Sequence, residues 1–257
     1  MPENTKFKGA ALVTGAGARL GKAMAEALGA AGYDVAVHYN KSAGPAEETA
    51  AAVRKAGRKA EIVQADLSKE EEVADLVAKA GKAVGPLTIL INNASTFEDD
   101  RIETMTRDSW DLHMEANLRA PVKLIQDFAA ALPAEAKGSV VNMIDQRVWK
   151  LTPHFVSYMA SKSALWTLTR TLAQGLAPRI RVNAIGPGPT LRNVRQTAED
   201  FEKQQKATLL ERGSNPQEIC RALLYLLDAD VVTGQMIAVD GGQHLVWQTP
   251  DVYGLTE

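Results

Sequence analysis

The feature that most restricts what this chain can fold into is an alternation. Seven short, apolar segments recur between longer segments whose apolar residues return at helical spacing. The short segments are Ala10 to Thr14, Asp34 to Tyr39, Ala60 to Gln64, Thr88 to Ile91, Ser139 to Met143, Ile180 to Ala184 and Gln235 to Val239. Nearly continuous apolar character marks strands buried on both faces, and helices between such strands imply crossovers that cover a parallel sheet on both sides. The helical segments are Leu20 to Ala31, Ala46 to Ala56, Lys69 to Val84, Arg107 to Leu132, Phe155 to Leu176 and Pro216 to Asp228. Ser68 is placed to cap the third of them, with Glu70 and Glu71 favouring its N-terminus. The expected fold is α/β, a single-domain Rossmann fold in which a doubly wound, seven-stranded parallel sheet is flanked by helices. No linker, repeat or low-complexity stretch divides the chain, so residues 1–257 read as one domain with a tail from about 245. Gly186 to about Glu199, rich in Gly and Pro before turning polar, reads as a loop over a site.

Composition excludes several classes. A net charge of -2 offers no basic surface to nucleic acid. No apolar run approaches the roughly 18 residues of a spanning helix, so no membrane partner is expected. The N-terminus lacks the apolar stretch of a signal peptide, and a cytoplasmic location is the expectation. The single cysteine, Cys220, has no partner for an intrachain disulfide and sits on an amphipathic helix, where a buried, inert thiol is expected. No metal site is expected.

Thr14-Gly15-Ala16-Gly17-Ala18-Arg19-Leu20-Gly21 joins the first strand to the first helix. Strand, glycine turn and helix N-terminus suit a pyrophosphate, because glycine admits close backbone approach and the helix end offers unpaired N–H groups. Gly15, Leu20 and Gly21 are therefore candidate cofactor contacts. An NAD-binding fold of this kind carries an acid at the end of the second strand. Here that end reads His38-Tyr39-Asn40-Lys41-Ser42, with no carboxylate to repel a 2′-phosphate. His38, Asn40, Lys41 and Ser42, with Arg19 from the turn, favour NADPH/NADP through charge and hydrogen bonding. Ordinary solvated charges at Lys41 and Arg19 are the bland alternative.

Tyr158 and Lys162 stand four residues apart in a helical pattern and share a face. An ammonium beside a phenol stabilises the phenolate and equips it for proton transfer. Taken singly, the pair also fits a half-buried Tyr with a snorkelling Lys.

Together with Asn92-Asn93-Ala94, Asn117, Asp66-Leu67, Pro187-Gly188 and Asp240-Gly241-Gly242, these motifs resemble the short-chain dehydrogenase/reductase family over essentially Ala10 to Gly242. The resemblance implies that Asp66 and Leu67 lie at the adenine, that Asn92, Ala94, Ser95, Pro187 and Gly188 border the cofactor, and that Lys162 binds the nicotinamide ribose. It also implies that Asn117 supports a water-linked proton relay to Lys162, and that the protein is a homotetramer assembled through the helices at Arg107 to Leu132 and Phe155 to Leu176. Two departures single out a branch. Asp145 replaces the usual serine thirteen residues before the tyrosine, and Arg19 replaces the middle glycine of TGxxxGxG. With Ser95 after Ala94, both look like the pteridine reductase and dihydromonapterin reductase branch, in which an aromatic at the position of Phe97 stacks on the pterin.

Asp145 also has a physical account of its own. Reducing a C=N bond requires hydride at carbon and a proton at nitrogen, and a carboxyl in a site closed to water acquires a raised pKa suited to relaying that proton. Simple capping of a loop by Asp145, with Gln146 and Arg147 as solvated neighbours, and a plain core role for Phe97 are the alternatives. The expected substrate contacts are Arg19, Ser95, Phe97, Asp145 and Tyr158, and the expected catalytic set is Asp145, Tyr158, Lys162 and Asn117. The leading expectation is reduction of a dihydropterin or related pteridine. A carbonyl reductase acting on a ketone or 3-oxoacyl substrate, and a non-catalytic NADP-binding sensor, are the competing readings. The apolar tail Leu245-Val246-Trp247 is expected to be buried against its own subunit or a neighbour's.

Overall fold

The computed structural model describes residues 8–249. Among them, β1 (Gly9–Val13), β2 (Tyr33–Tyr39), β3 (Ala60–Gln64), β4 (Leu87–Asn92), β5 (Gly138–Met143), β6 (Ile180–Pro187) and β7 (Met236–Val239) form one sheet. Its order is β3-β2-β1-β4-β5-β6-β7, and every pairing is parallel. The order reverses between β1 and β4, and the crevice above the carboxyl ends of strands at such a switch point is where ligands bind in this architecture.

The helices are α1 (Arg19–Ala30), α2 (Ala43–Lys55), α3 (Glu70–Ala74), α4 (Leu76–Val84), α5 (Arg107–Met114), α6 (Ala120–Ala131), α7 (Val156–Leu176), α8 (Ala198–Lys206) and α9 (Pro216–Asp228). They cover both faces, as the buried strands demanded. One core joins Val13, Val35 and Ile91 to Met24 and Leu28 of α1, Val53 of α2 and Leu223 of α9. The other joins Leu12, Leu90 and Val140 to Leu76 of α4, Leu124 and Phe128 of α6 and Ala173 of α7. Among the described residues no helix is long and apolar enough to cross a membrane, and no cluster of His, Cys, Asp and Glu is arranged to hold a metal.

Several expectations are corrected. The helix expected over Arg107 to Leu132 is interrupted by a π-helical turn at Glu115–Arg119, where a widened hydrogen-bond ring reorients Asn117. The helix expected over Lys69 to Val84 divides at Asp75 into α3 and α4. Ser68 does not cap it: Lys69 occupies the N-cap position, and Ser68 donates instead to Asp66 Oδ1. The expected loop runs from the end of β6 to Thr197, which accepts from the Asp200 amide as the N-cap of α8, a helix not assigned from the sequence. Leu245 and Trp247 are 58% and 65% exposed, so that part of the tail is not buried against its own subunit, and residues beyond 249 lie outside those described. Cys220 is buried as expected, and burial pushes its thiol up to about 11, the range of an inert thiol.

Candidate active site

The glycine turn is held from three sides. Thr14 Oγ1 accepts from the amides of Asn93 and Ala94, tying β1 to the end of β4. The Asn93 side chain donates to Thr14 O at 2.8 Å and Gly15 O at 3.3 Å. The third tie is His38, whose Nδ1 accepts from the Gly15 amide at 3.0 Å while Nε2 faces Ala65 O, also at 3.0 Å. Gly15 is left-handed at φ 63°, and a Cβ on Gly21 would lie 2.1 Å from Gly15 O. No larger residue fits either position without moving the turn. The N-cap of α1, Ala18, makes no side-chain capping bond, and the first turn of the helix carries no acid. Its amides and positive end therefore suit a pyrophosphate, so the residues present fit a dinucleotide.

His38 is consequently committed to the protein and presents no ring nitrogen to a cofactor, unlike the expectation for it. Burial lowers its pKa from 6.5 to about 4. A histidine held neutral in the fold contributes stability above its unfolded value, and that stability is lost as pH falls from 6.5 towards 4. The full loss amounts to about 3 kcal/mol. Urea unfolding at pH 7 and pH 5 should show the decline in the native protein and a flatter response in His38→Asn, which keeps an acceptor for Gly15 without a titrating ring.

At the end of β2, Asn40, Lys41 and Ser42 are exposed. Lys41 lies near enough to Asp66 to help hold its carboxyl below the usual range, after the larger effect of the Ser68 hydroxyl bond. The Leu67 side chain is buried in the second core rather than lining the crevice. Asn92 is buried as well and donates to Asn142 Oδ1, so it braces β4 against β5.

Over the carboxyl ends of β1, β4, β5 and β6 lies a cavity of about 630 Å³. Gly15, Arg19, Leu20, Gly21, Ala94, Ser95, Phe97, Asp145, Tyr158, Lys162, Pro187 and Gly188 all line it. Arg19 is left-handed at φ 53°, a strained conformation for a residue other than glycine. Its guanidinium donates to Leu191 O at 3.0 Å and Arg192 O at 2.9 Å, and so anchors the loop after β6 across the cavity mouth. Arg195 anchors the same loop from the other side, donating to Phe97 O at 2.6 Å and Glu98 Oε2 at 3.0 Å. In Arg19→Gly, relief of about 1 kcal/mol of backbone strain should offset two exposed hydrogen bonds. Thermal unfolding should then stay within a few degrees of the native protein while NADPH binding, read by fluorescence titration, weakens about tenfold.

Asp145 divides its oxygens between two tasks. Oδ1 accepts from the Arg147 amide at 2.9 Å and caps the short 3-10 turn Gln146–Val148, while Oδ2 accepts from the Tyr158 hydroxyl at 3.0 Å. The capping contact is thus present, and the same side chain also reaches the Tyr158 hydroxyl. Burial raises the Asp145 pKa above the ordinary carboxylate value against the pull of Arg147, Tyr158 and Lys162. Burial, reinforced by the Asp145 charge, holds the Tyr158 phenol well above its usual value. Lys162 donates to Met143 O at 2.8 Å and lies 5.8 Å from the Tyr158 ring centre. Burial draws its ammonium down to about 8, with Asp145 opposing.

Asn117 is fully buried, and its side chain exchanges bonds with the Thr96 amide and carbonyl at 2.8 and 2.9 Å. A further contact reaches Ser161 Oγ at 3.4 Å. The side chain thus fixes the strip that carries Ser95 and Phe97 and makes no direct bond to Lys162. Ser95 is exposed at the cavity, its hydroxyl on Thr96 O.

Phe97 packs against Phe155 at 4.5 Å and edge-on to Tyr158 at 4.6 Å between ring centres. The guanidinium groups of Arg147 and Arg195 lie 5.9 and 5.1 Å from its ring centre. Phe155 is left-handed at φ 60° and is held there because its amide donates to Asp100 O at 2.7 Å. Asp100 is buried with Ser157 and His113: the Ser157 hydroxyl bonds Asp100 Oδ2, and His113 Nδ1 bonds that hydroxyl at 2.6 Å. This network locks the aromatic wall to the start of α7, the helix that presents Tyr158.

Asn93, Phe155, Arg147 and Arg195 also shape the site, and the sequence did not assign them to it. Asn93 was legible as part of a motif, but its contact with the turn is made across 78 residues. Phe155 looks like the first residue of a helix, and Arg195 like one charge in a polar loop.

A family model described as enoyl-(acyl carrier protein) reductase, a short-chain dehydrogenase/reductase model, matches residues 15–244. The chain belongs to the short-chain dehydrogenase/reductase family. It is an oxidoreductase of that family. Among solved structures it resembles FolM alternative dihydrofolate reductase 1 from Brucella suis, crystallised in complex with NADP, at 50% identity and a TM-score of 0.91, covering 94% of this chain and 97% of that one. The Brucella canis FolM, also complexed with NADP, is 48% identical with a TM-score of 0.90 over 95% and 97% of the two chains. A 3-oxoacyl-[acyl-carrier-protein] reductase, FabG, of Staphylococcus epidermidis is 30% identical over 240 residues, 91% of this chain and 98% of that protein.

Proposed function

We propose that this family member is an NADPH-dependent reductase that transfers hydride to a C=N bond of a dihydropterin or related pteridine. The observation that carries the reading is the bond from Tyr158 to Asp145, a carboxyl of raised pKa where a serine is usual in the family. The likeness to two NADP-bound alternative dihydrofolate reductases supports it. So does the absence of a carboxylate from Asn40, Lys41 and Ser42, which follow β2.

NADPH, when bound, supplies hydride to the carbon of the C=N bond. The nitrogen then takes a proton, and Tyr158 and Asp145 are placed to deliver it. While Asp145 is ionised, the phenol hydrogen is directed at its carboxylate and away from substrate. Once Asp145 is protonated the bond reverses: the carboxyl donates to the phenol oxygen, and the phenol hydrogen turns to the substrate nitrogen. Tyr158 then gives up one proton and recovers one from Asp145, so no phenolate is left beside a carboxylate. Lys162, charged below about 8, adds positive charge to this buried pair.

The cofactor contacts follow the same reading: Gly15, Leu20 and Gly21 at the pyrophosphate, Arg19, Asn40, Lys41 and Ser42 toward the 2′-phosphate, and Ala94, Ser95, Pro187 and Gly188 along the nicotinamide half. A homotetramer assembled through the helices at Arg107 to Leu132 and Phe155 to Leu176 is part of the proposal and is checked by light scattering; a cytoplasmic location belongs to the same reading.

The test is NADPH oxidation with dihydrobiopterin, dihydromonapterin and dihydrofolate beside a cyclic ketone and a 3-oxoacyl thioester. Turnover of at least one dihydropterin-type compound with kcat/KM above those of both carbonyl substrates is expected. Turnover of the carbonyl compounds alone would replace this reading by a carbonyl reductase.

A further inference from the structure

The strip directly after Asp145 holds two polar atoms that the protein does not use. Arg147 Nη1 and Gln146 Oε1 are both buried without a hydrogen-bond partner, and both residues line the cavity. They are the only such buried side-chain atoms on that wall among the described residues. Burying a hydrogen-bonding group without a partner is costly, so a fold that retains two beside one another has a reason to keep them.

The other cations of the wall are engaged. Arg19 bonds the carbonyls of Leu191 and Arg192, Lys162 bonds Met143 O, and Arg195 bonds Phe97 O and Glu98. Arg147 differs from them. Its guanidinium lies 5.1 Å from the centre of the Phe155 ring and 5.9 Å from that of Phe97, contacts that fix its position against an aromatic wall. Its backbone amide meanwhile holds Asp145 Oδ1, so the guanidinium and the carboxyl belong to one short turn. A ligand touching Asp145 and Tyr158 lies beside Arg147.

We infer that Gln146 and Arg147 form the polar half of the substrate subsite, and that Arg147 sets specificity for a flat heterocycle presenting both a carbonyl acceptor and an N–H donor. This rests on the reductase reading above and names what its substrate must display. Arg147 Nη1 donates to the carbonyl and Gln146 Oε1 accepts from the N–H. A simple ketone supplies only the acceptor, and a bare aromatic bicycle supplies neither.

The test is fluorescence titration of the NADP-loaded protein with three probes: pterin, quinazolin-4-one, which shares the lactam edge, and quinoxaline, which has the flat bicycle without it. In Arg147→Met the dissociation constants of pterin and quinazolin-4-one should rise about tenfold to hundredfold, with those of quinoxaline and NADP unchanged. Arg147→Lys keeps the charge but not the planar fork, and should weaken the two lactams while leaving the pH profile of turnover in place. Equal weakening of all three probes in Arg147→Met would make Arg147 a packing residue and overturn the inference, as would unaltered lactam binding. If the native protein binds quinazolin-4-one through Arg147 yet turns over no dihydropterin, the subsite stands and the pterin reading falls.

Discussion

Asp145→Ser should lower kcat/KM for a dihydropterin by about 10²- to 10³-fold while leaving the NADPH dissociation constant within a few-fold of the native value. The serine still accepts a hydrogen bond, but it neither stores a proton nor reloads Tyr158. Its neutrality also removes the negative charge that reinforces burial in holding the phenol above its usual value. A ketone takes the same one hydride and one proton, but its carbonyl oxygen can accept a hydrogen bond from the serine hydroxyl, so carbonyl turnover should persist or rise in this variant. Steady-state kinetics on both substrates, with NADPH titrated separately, gives the comparison. Equal losses for pterin, ketone and cofactor would make Asp145 a turn-capping residue, the role its Oδ1 fills at Arg147.

Tyr158→Phe should cost more, about 10²- to 10⁴-fold in kcat for every substrate, because the proton then has no carrier between Asp145 and the acceptor. Packing should survive, since the ring contact with Phe97 is retained in the variant. The pH dependence of the native enzyme follows from the same groups. Asp145 is competent when protonated, and its raised pKa extends that form upward, so kcat/KM should fall as pH rises through that raised value. A second fall should begin near pH 8, where Lys162 loses its proton in the cofactor-free protein. In Lys162→Met the limb near pH 8 should vanish; its persistence would assign that titration elsewhere.

The sheet was legible because most of its strands are short, nearly continuous apolar runs set between longer segments of helical period. The alternation implied a doubly wound sheet, while the strand order and its switch point between β1 and β4 came from the structure. What stayed hidden was set by contacts distant in sequence. The π-helical turn at Glu115–Arg119 carries no composition signal, yet it places Asn117 against Thr96. The left-handed Phe155 depends on an amide bond to Asp100 O, which no local pattern announces. His38 was read as a cofactor contact because it stands at the end of β2, and only the structure shows both its ring nitrogens turned inward. Tyr158, Lys162 and Asp145 were legible as a set through fixed spacing, whereas Arg147, two residues on, looked like a solvated charge until its aromatic neighbours were visible.

The most direct test of the proposed chemistry is the fate of the transferred hydride. With NADPH deuterated at the transferred position and a mixture of a dihydropterin and a cyclic ketone, mass spectrometry of the products should find one deuterium in the reduced pterin, at the carbon of the former C=N bond. Deuterium found only in the alcohol, with the dihydropterin recovered unlabelled, would contradict the account.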